Sequence, residues 1–178
     1  MSVQYEISGG ENRRLEFKQQ LPGSGNVAKT IVAFSNGAGG KLIIGVNDNR
    51  DIIGISDDDI IELPDKISNI IYDSCYPAII PEIYTENIDG KNVLVVEIYP
   101  GNLKPYYIKA DGKTNGTYIR VGATNKLADL EMIIELERQR RNVSFDEECL
   151  YDLELNQLNF EKLKNDFLKY LKDRLNLE

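Results

Sequence analysis

Histidine is absent from these 178 residues, cysteine occurs twice, and no apolar run approaches the roughly 20 residues that span a bilayer. Without histidine the chain has no Ser-His-Asp or Cys-His catalysis, no His-ligated zinc and no imidazole acid–base chemistry. Cys75 and Cys149 are far apart and form no CxxC pair. That excludes a disulfide framework and leaves two reduced, buried thiols as the expectation. Any catalysis falls to carboxylates, lysine, arginine, tyrosine or hydroxyls. The opening MSVQYEISGGENRR lacks the charged-then-apolar layout of a secretory signal. A soluble, cytoplasmic protein without membrane contact is therefore expected.

What is present suits one globular domain. Hydrophobic residues make up 42% and charged residues 28%, ordinary for a soluble fold of this length. The net charge of −8 argues against indiscriminate nucleic-acid binding, but it is unevenly spread. Residues 1–47 carry five bases against three acids, and residues 99–145 carry eight against five. Between them, residues 48–98 carry three bases against twelve acids, and residues 146–178 carry five against nine. If the two basic segments meet in the fold, an acidic protein gains a local positive face.

The patterning predicts α+β: a mixed β-sheet with flanking helices. Leu15 and Phe17 alternate with Glu16 and Lys18 in a strand over Arg14–Leu21. Asn26 is placed to cap a helix to Phe34, and Leu42–Val46 reads as the next strand. Asp57–Asp59 open a helix towards Asp73, with acids suited to its N-terminal dipole. Glu82–Asn87 and Asn92–Tyr99 form a hairpin at Asp89-Gly90, and Tyr106–Lys109 and Thr117–Val121 a further joined pair. Helices are expected over Leu127–Arg141, with Leu127, Leu130, Ile134 and Leu136 apolar, and over Phe160–Leu175. Residues 1–145 are assigned to one domain. Residues 146–178 form an acidic helical extension, either a link to a further domain of a longer protein or a packing helix whose Leu and Phe stripe suits a homodimer.

Two glycine clusters raise the question of phosphate. Gly23 to Thr30 nearly spells the GxxxxGK[ST] loop between a predicted strand and helix. Ala28 stands where that loop needs glycine, and its Cβ hinders close backbone wrapping, so ATP is not expected. Gly37-Ala38-Gly39-Gly40 follows a helix instead of preceding one, the wrong order for a phosphate cradle. These glycines are read as turn positions that end the helix.

Glu16 and Lys18 fall on one face of their strand, with Phe17 on the other. An acid and a lysine side by side are part of a metal-dependent nuclease, in which carboxylates hold a divalent ion and lysine steadies developing charge. Glu11 upstream and Asp48 at the end of the Leu42–Val46 strand are the further acids available. By itself the triplet reads first as a surface ion pair on a strand.

In order along the chain, Glu11 with Glu16-Phe17-Lys18, Lys29–Asn36 with Gly39-Gly40, and Ile44-Gly45-Val46-Asn47-Asp48 resemble the AlbA-like domain of the Schlafen, or divergent AAA, family. Pro105-Tyr106-Tyr107 and Tyr118–Gly122 are similar to its later motifs, and the resemblance covers residues 10–140. It implies a domain found at the start of bacterial and archaeal proteins described as transcriptional regulators or helicase-related, and taken to bind DNA. It also implies a nuclease alternative, because animal Schlafens cleave tRNA and rRNA with two glutamates and an aspartate. Glu11, Glu16 and Asp48 match those three by position, and Lys18 the adjacent lysine. The animal enzymes clamp with two lobes, so a single-lobed chain would need a homodimer.

Three functions therefore stand in order, the third an interaction scaffold whose last helix mediates dimers. The first is DNA or RNA binding in a transcriptional regulator, with Arg13, Arg14, Lys104, Lys109, Arg120 and Lys126 on phosphates and Tyr106 and Tyr107 stacking or bonding. Arg138–Arg141 is a further phosphate candidate, although a helix C-terminus favours such charges anyway. The second is a ribonuclease with Mg²⁺ or Mn²⁺ on Glu11, Glu16 and Asp48, assisted by Lys18. It predicts EDTA-sensitive cleavage of structured RNA that Glu16→Gln abolishes; cleavage surviving that substitution would refute the assignment.

Overall fold

The computed structural model describes residues 2–141 and 160–175. The chain divides into two compact units, Met1–Asn142 and Val143–Glu178. In the first, a short helix α1 (Val3–Ser8) precedes strand β1 (Leu15–Lys18), helix α2 (Ser24–Asn36) and strand β2 (Gly40–Ile44). Helix α3 (Asp57–Ser74) leads into β3 (Cys75–Tyr76), β4 (Glu82–Ile88) and β5 (Lys91–Ile98). Then come β6 (Tyr107–Ile108), a 3₁₀ turn (Lys109–Asp111), α4 (Gly112–Gly116), β7 (Tyr118–Val121), β8 (Thr124–Leu127) and α5 (Leu130–Arg141). In the second unit α6 spans Phe160–Leu175 and leaves Phe167, Leu168 and Tyr170 exposed.

The main sheet runs β1-β2-β5-β4, with β1 parallel to β2 and the other pairs antiparallel. A parallel pair needs a crossover, and α2 supplies it. Alternation along the strands gives the sheet two apolar faces. Leu42, Ile44, Leu94, Val96 and Ile98 pack with Val27, Ile31 and Phe34 of α2 and Ile67 and Ile71 of α3. Leu15, Phe17, Ile43, Val93 and Val95 pack on the other side with Val3 and Ile7 of α1. The fold is thus α+β, a mixed sheet with flanking helices. Among the described residues no helix is long and apolar enough to cross a membrane. Burial pushes the Cys75 thiol up to about 12 despite nearby Lys109, so it stays a protonated core group at neutral pH; Cys149 lies outside the described residues.

Several local expectations change. Helix α2 begins at Ser24 with Gly23 as its N-cap, so Asn26 lies inside the first turn. At its other end the Gly37 N–H donates to the Ala33 and Phe34 carbonyls. Gly39 adopts φ +75°, and a Cβ there would meet the Ile98 oxygen at 2.5 Å. The glycines are therefore helix-ending and close-packing positions. Tyr106–Lys109 and Thr117–Val121 do not pair with each other: β6 pairs with β3 and β7 with β8. Helix α5 starts at Leu130, because Thr124–Leu127 joins the β7 ladder and Asp129 Oδ1 accepts the Met132 N–H as a cap. Its buried side chains are Ile133 and Leu136; Leu130 and Ile134, with Leu127 before the helix, are exposed.

Candidate functional site

Strand β1 is an edge of the main sheet, so its outward backbone groups need other partners. Glu11 supplies one: its Oε1 accepts the Phe17 N–H at 3.1 Å and the Lys18 ammonium at 3.2 Å. Because Glu16 and Lys18 share a face, Lys18 Nζ also reaches Glu16 Oε1 at 2.9 Å. Burial works against the Lys18 ammonium, yet the Glu16 and Glu11 carboxylates outweigh it and its pKa is raised. Asp48 takes no part. It is exposed in the Asn47–Asp51 turn, where Asn47 Oδ1 accepts the N–H groups of Asn49 and Asp51. Arg50 ties that turn to Ser8 O of α1, on the opposite face of the sheet from Glu16.

Among the described residues no group of three or more His, Cys, Asp or Glu is placed to hold a metal ion. A lysine ammonium already bridges Glu11 and Glu16. As placed, these residues do not fit a three-carboxylate Mg²⁺ or Mn²⁺ centre.

Arg120 is the largest departure from expectation. It is no surface cation: its side chain is 1% exposed. Its Nη2 lies 2.5 Å from Glu16 Oε2. The contact is between charges and not an aligned hydrogen bond, since that buried oxygen has no hydrogen-bond donor. Arg120 donates instead to the Asn12 and Leu15 carbonyls and to Asn125 Oδ1, and its guanidinium lies 5.2 Å from the Phe34 ring centre. Its partners are the two carbonyls that bracket Arg13 and Arg14. Arg120 therefore positions the basic turn and cannot touch a ligand there.

The near-Walker segment is not a loop. From Ser24 onward it is helix, Ala28 is fully buried, and Thr30 accepts a hydrogen bond from Asn125 Nδ2. The Lys29 ammonium sits 5.4 Å from the centre of the Tyr118 ring. Lys29, Thr30 and Asn125 join Glu16, Lys18 and Asn26 in lining a cleft of about 220 Å³.

The remaining expected cations separate into places. Arg13 is exposed and close enough to Lys104 to act on its charge. Lys104 is half-buried and donates to Gln139 Oε1 at 3.1 Å. Desolvation, and then Arg13, lower its pKa below the usual lysine value. Arg140 of α5 joins Lys104 in lining a hollow of about 350 Å³ with Pro100, Gly101, Asn102 and Gln139. Among the described residues none of Arg13, Lys104 and Arg140 is paired with a carboxylate. Arg14 lines a different hollow, of about 430 Å³, with the Lys41–Glu6 ion pair. Lys126 is exposed on β8, and Lys109 is bonded to Tyr72 O. Tyr106 is buried, its hydroxyl accepting the Leu103 N–H, whereas Tyr107 is half-exposed.

The family model for Schlafen, AlbA_2 matches residues 11–129, two thirds of the chain. The chain belongs to the Schlafen AlbA_2 family. This AlbA_2 domain is 31% identical over 162 residues to an uncharacterized ATP-binding protein of Ureaplasma parvum, covering 76% of the chain but only 45% of that relative. Its fold is similar to that of the DIP2311 protein from Corynebacterium diphtheriae, at 22% identity and a TM-score of 0.53, over 71% of this chain and 24% of that one. The N-terminal domain of a RecG-related protein from Nitrosomonas europaea shares 29% identity, with a TM-score of 0.47, over 71% of this chain and 91% of that domain. The AlbA_2 match contains Glu11, Glu16, Lys18, Asp48 and Arg120, and ends before α5 and Arg140.

Proposed function

We propose that this AlbA_2 domain binds the phosphate backbone of DNA or RNA, as the nucleic-acid-binding part of a transcriptional regulator. One observation carries it: Lys104 has Arg13 close enough to act on its charge and shares a hollow with Arg140, and among the described residues none of these three cations, from separate stretches of an acidic chain, is paired with a carboxylate. Crowding cations next to a desolvated lysine costs free energy, and an arriving phosphate anion offsets that cost. Family membership supports a nucleic-acid-related role.

The test is binding of fluorescent DNA and RNA oligonucleotides across about 50 to 200 mM salt. Affinity should fall steeply with salt. The triple substitution Arg13→Ala, Lys104→Ala, Arg140→Ala should weaken binding by about 100-fold or more at low salt and flatten the salt slope by about two to three charges. Affinity that ignores both salt and the substitution would refute the proposal. The lowered Lys104 pKa adds a pH signature. A neutral amine cannot hold phosphate, so affinity falls as pH rises through a value below the usual 10.5, and binding takes up protons from about that pH upward, until the phosphate-bound lysine itself deprotonates.

A further inference from the structure

Strands β3 and β6 form a two-stranded ladder separate from the main sheet. Alternation sends Cys75 and Ile108 inward, where both are buried. It leaves Tyr76 and Tyr107 outward as cross-strand partners, with ring centres 5.3 Å apart and planes tilted by 50°. Two residues past Tyr107, Lys109 donates to Tyr72 O at 2.6 Å and holds its ammonium 5.4 Å from the Tyr72 ring centre. Tyr72 is 72% exposed and Tyr76 51%. Three tyrosine rings and an ammonium thus stand at the surface, on a short ladder fixed from below and a helix end tied by Lys109.

Rings kept in water at fixed positions suit a partner that presents flat π-faces. Lys104 precedes Tyr107 by three residues, at most about 10 Å of chain, so this ladder and the lysine of the cation cluster are close along the chain. Asp73 and Asp111, exposed beside Tyr72 and Lys109 in sequence, keep this surface from attracting polyanions by charge. Its contribution would be stacking, with charge supplied at Arg13, Lys104 and Arg140.

We propose that Tyr72, Tyr76 and Tyr107 form a base-stacking platform and that the nucleic acid bound here is single-stranded. A duplex hides its base faces, so only unpaired bases can use the rings. The platform rests on the phosphate-binding function proposed above, and the two fail in different ways.

The experiment uses the full chain and three probes of one length: a single strand, its blunt duplex, and a single strand with abasic sites that keeps the phosphates. The single strand should bind about tenfold or more tightly than either other probe. The double variant Tyr72→Ala, Tyr76→Ala should lose about tenfold or more on the single strand, with duplex affinity and salt slope unchanged. Tyr72→Phe, Tyr76→Phe should keep wild-type affinity, because the ring and not the hydroxyl stacks. Equal affinity for single strand and duplex, or an alanine variant that binds like wild type, overturns the platform. In that case a salt-dependent loss in the Arg13, Lys104 and Arg140 variant would leave phosphate binding standing. A surface that instead serves a protein partner gives the same unchanged oligonucleotide affinities and overturns the platform. Absence of binding to any probe overturns both.

Discussion

Replacing Arg120 with methionine should destabilise the 1–142 unit by about 3–5 kcal/mol, a large share of the 5–15 kcal/mol typical of a domain. The substitution keeps much of the side-chain bulk but leaves the Asn12 and Leu15 carbonyls and Asn125 Oδ1 without their donor. It also leaves the Glu16 carboxylate, 12% exposed, with only Lys18 to balance it. An uncompensated buried carboxylate is the costly part. Arg120→Met combined with Glu16→Gln should therefore lose less than the sum of the two single changes. Urea denaturation of the four proteins checks this. A loss under about 1 kcal/mol for Arg120→Met would mean the guanidinium is dispensable. Because Arg120 holds the turn that carries Arg13, the same variant should also weaken oligonucleotide binding without altering any residue at the cation cluster.

The second large effect should come from Asn36. Its Nδ2 donates to the Tyr106 and Tyr118 carbonyls at 2.8 and 2.9 Å, and its Oδ1 accepts the Tyr106 N–H at 2.7 Å. One buried amide thus joins the end of α2 to β7 and to the residue preceding β6. Asn36→Ala leaves those backbone groups without partners and should cost about 2–4 kcal/mol. Asn36→Asp keeps the acceptor, loses both donors and buries a charge, so it should cost at least as much at neutral pH. Hydrogen exchange at Tyr106 should speed up in both variants. Unchanged exchange and an unchanged denaturation midpoint would show that the ladder holds without the amide. Because β6 carries Tyr107, loosening it should also reduce any single-strand preference.

Much of the local architecture was legible in the chain. The two-residue alternation at Leu15–Lys18 and the Asp89-Gly90 hairpin led to observed strands. The acid-led helix from Asp57 and the apolar stripe of Phe160–Leu175 led to observed helices. Each signal lies within a few residues. Legibility failed where local rules compete. Leu127 fits a helical period but pairs with Tyr118, and the amide cap at Asp129 moves the helix start downstream. The site divided in the same way. Glu16 and Lys18 meet because strand geometry places them together, and Glu11 joins them by accepting the Phe17 N–H at the sheet edge, while Asp48 leaves with a turn whose hydrogen bonds are its own. Asn125 carried no signal, and Asn36 carried one only as the end of a stretch resembling the family, because an amide's importance lies in whom it reaches.

The family was legible from ordered motifs spread over residues 10–140, and the alternation of strands and helices and the side-by-side placement of Glu16 and Lys18 from residues a turn or two apart. Which cations face solvent follows from contacts between distant parts of the chain. Arg120 and Lys104 look alike in a string of letters. One is drawn inside by carbonyls 105 and 108 residues away and by a buried carboxylate. The other is left near Arg13 and, among the described residues, has no acid to neutralise it. A charge's role depends on its desolvation and its partners, and both are set by contacts that the folded chain alone creates.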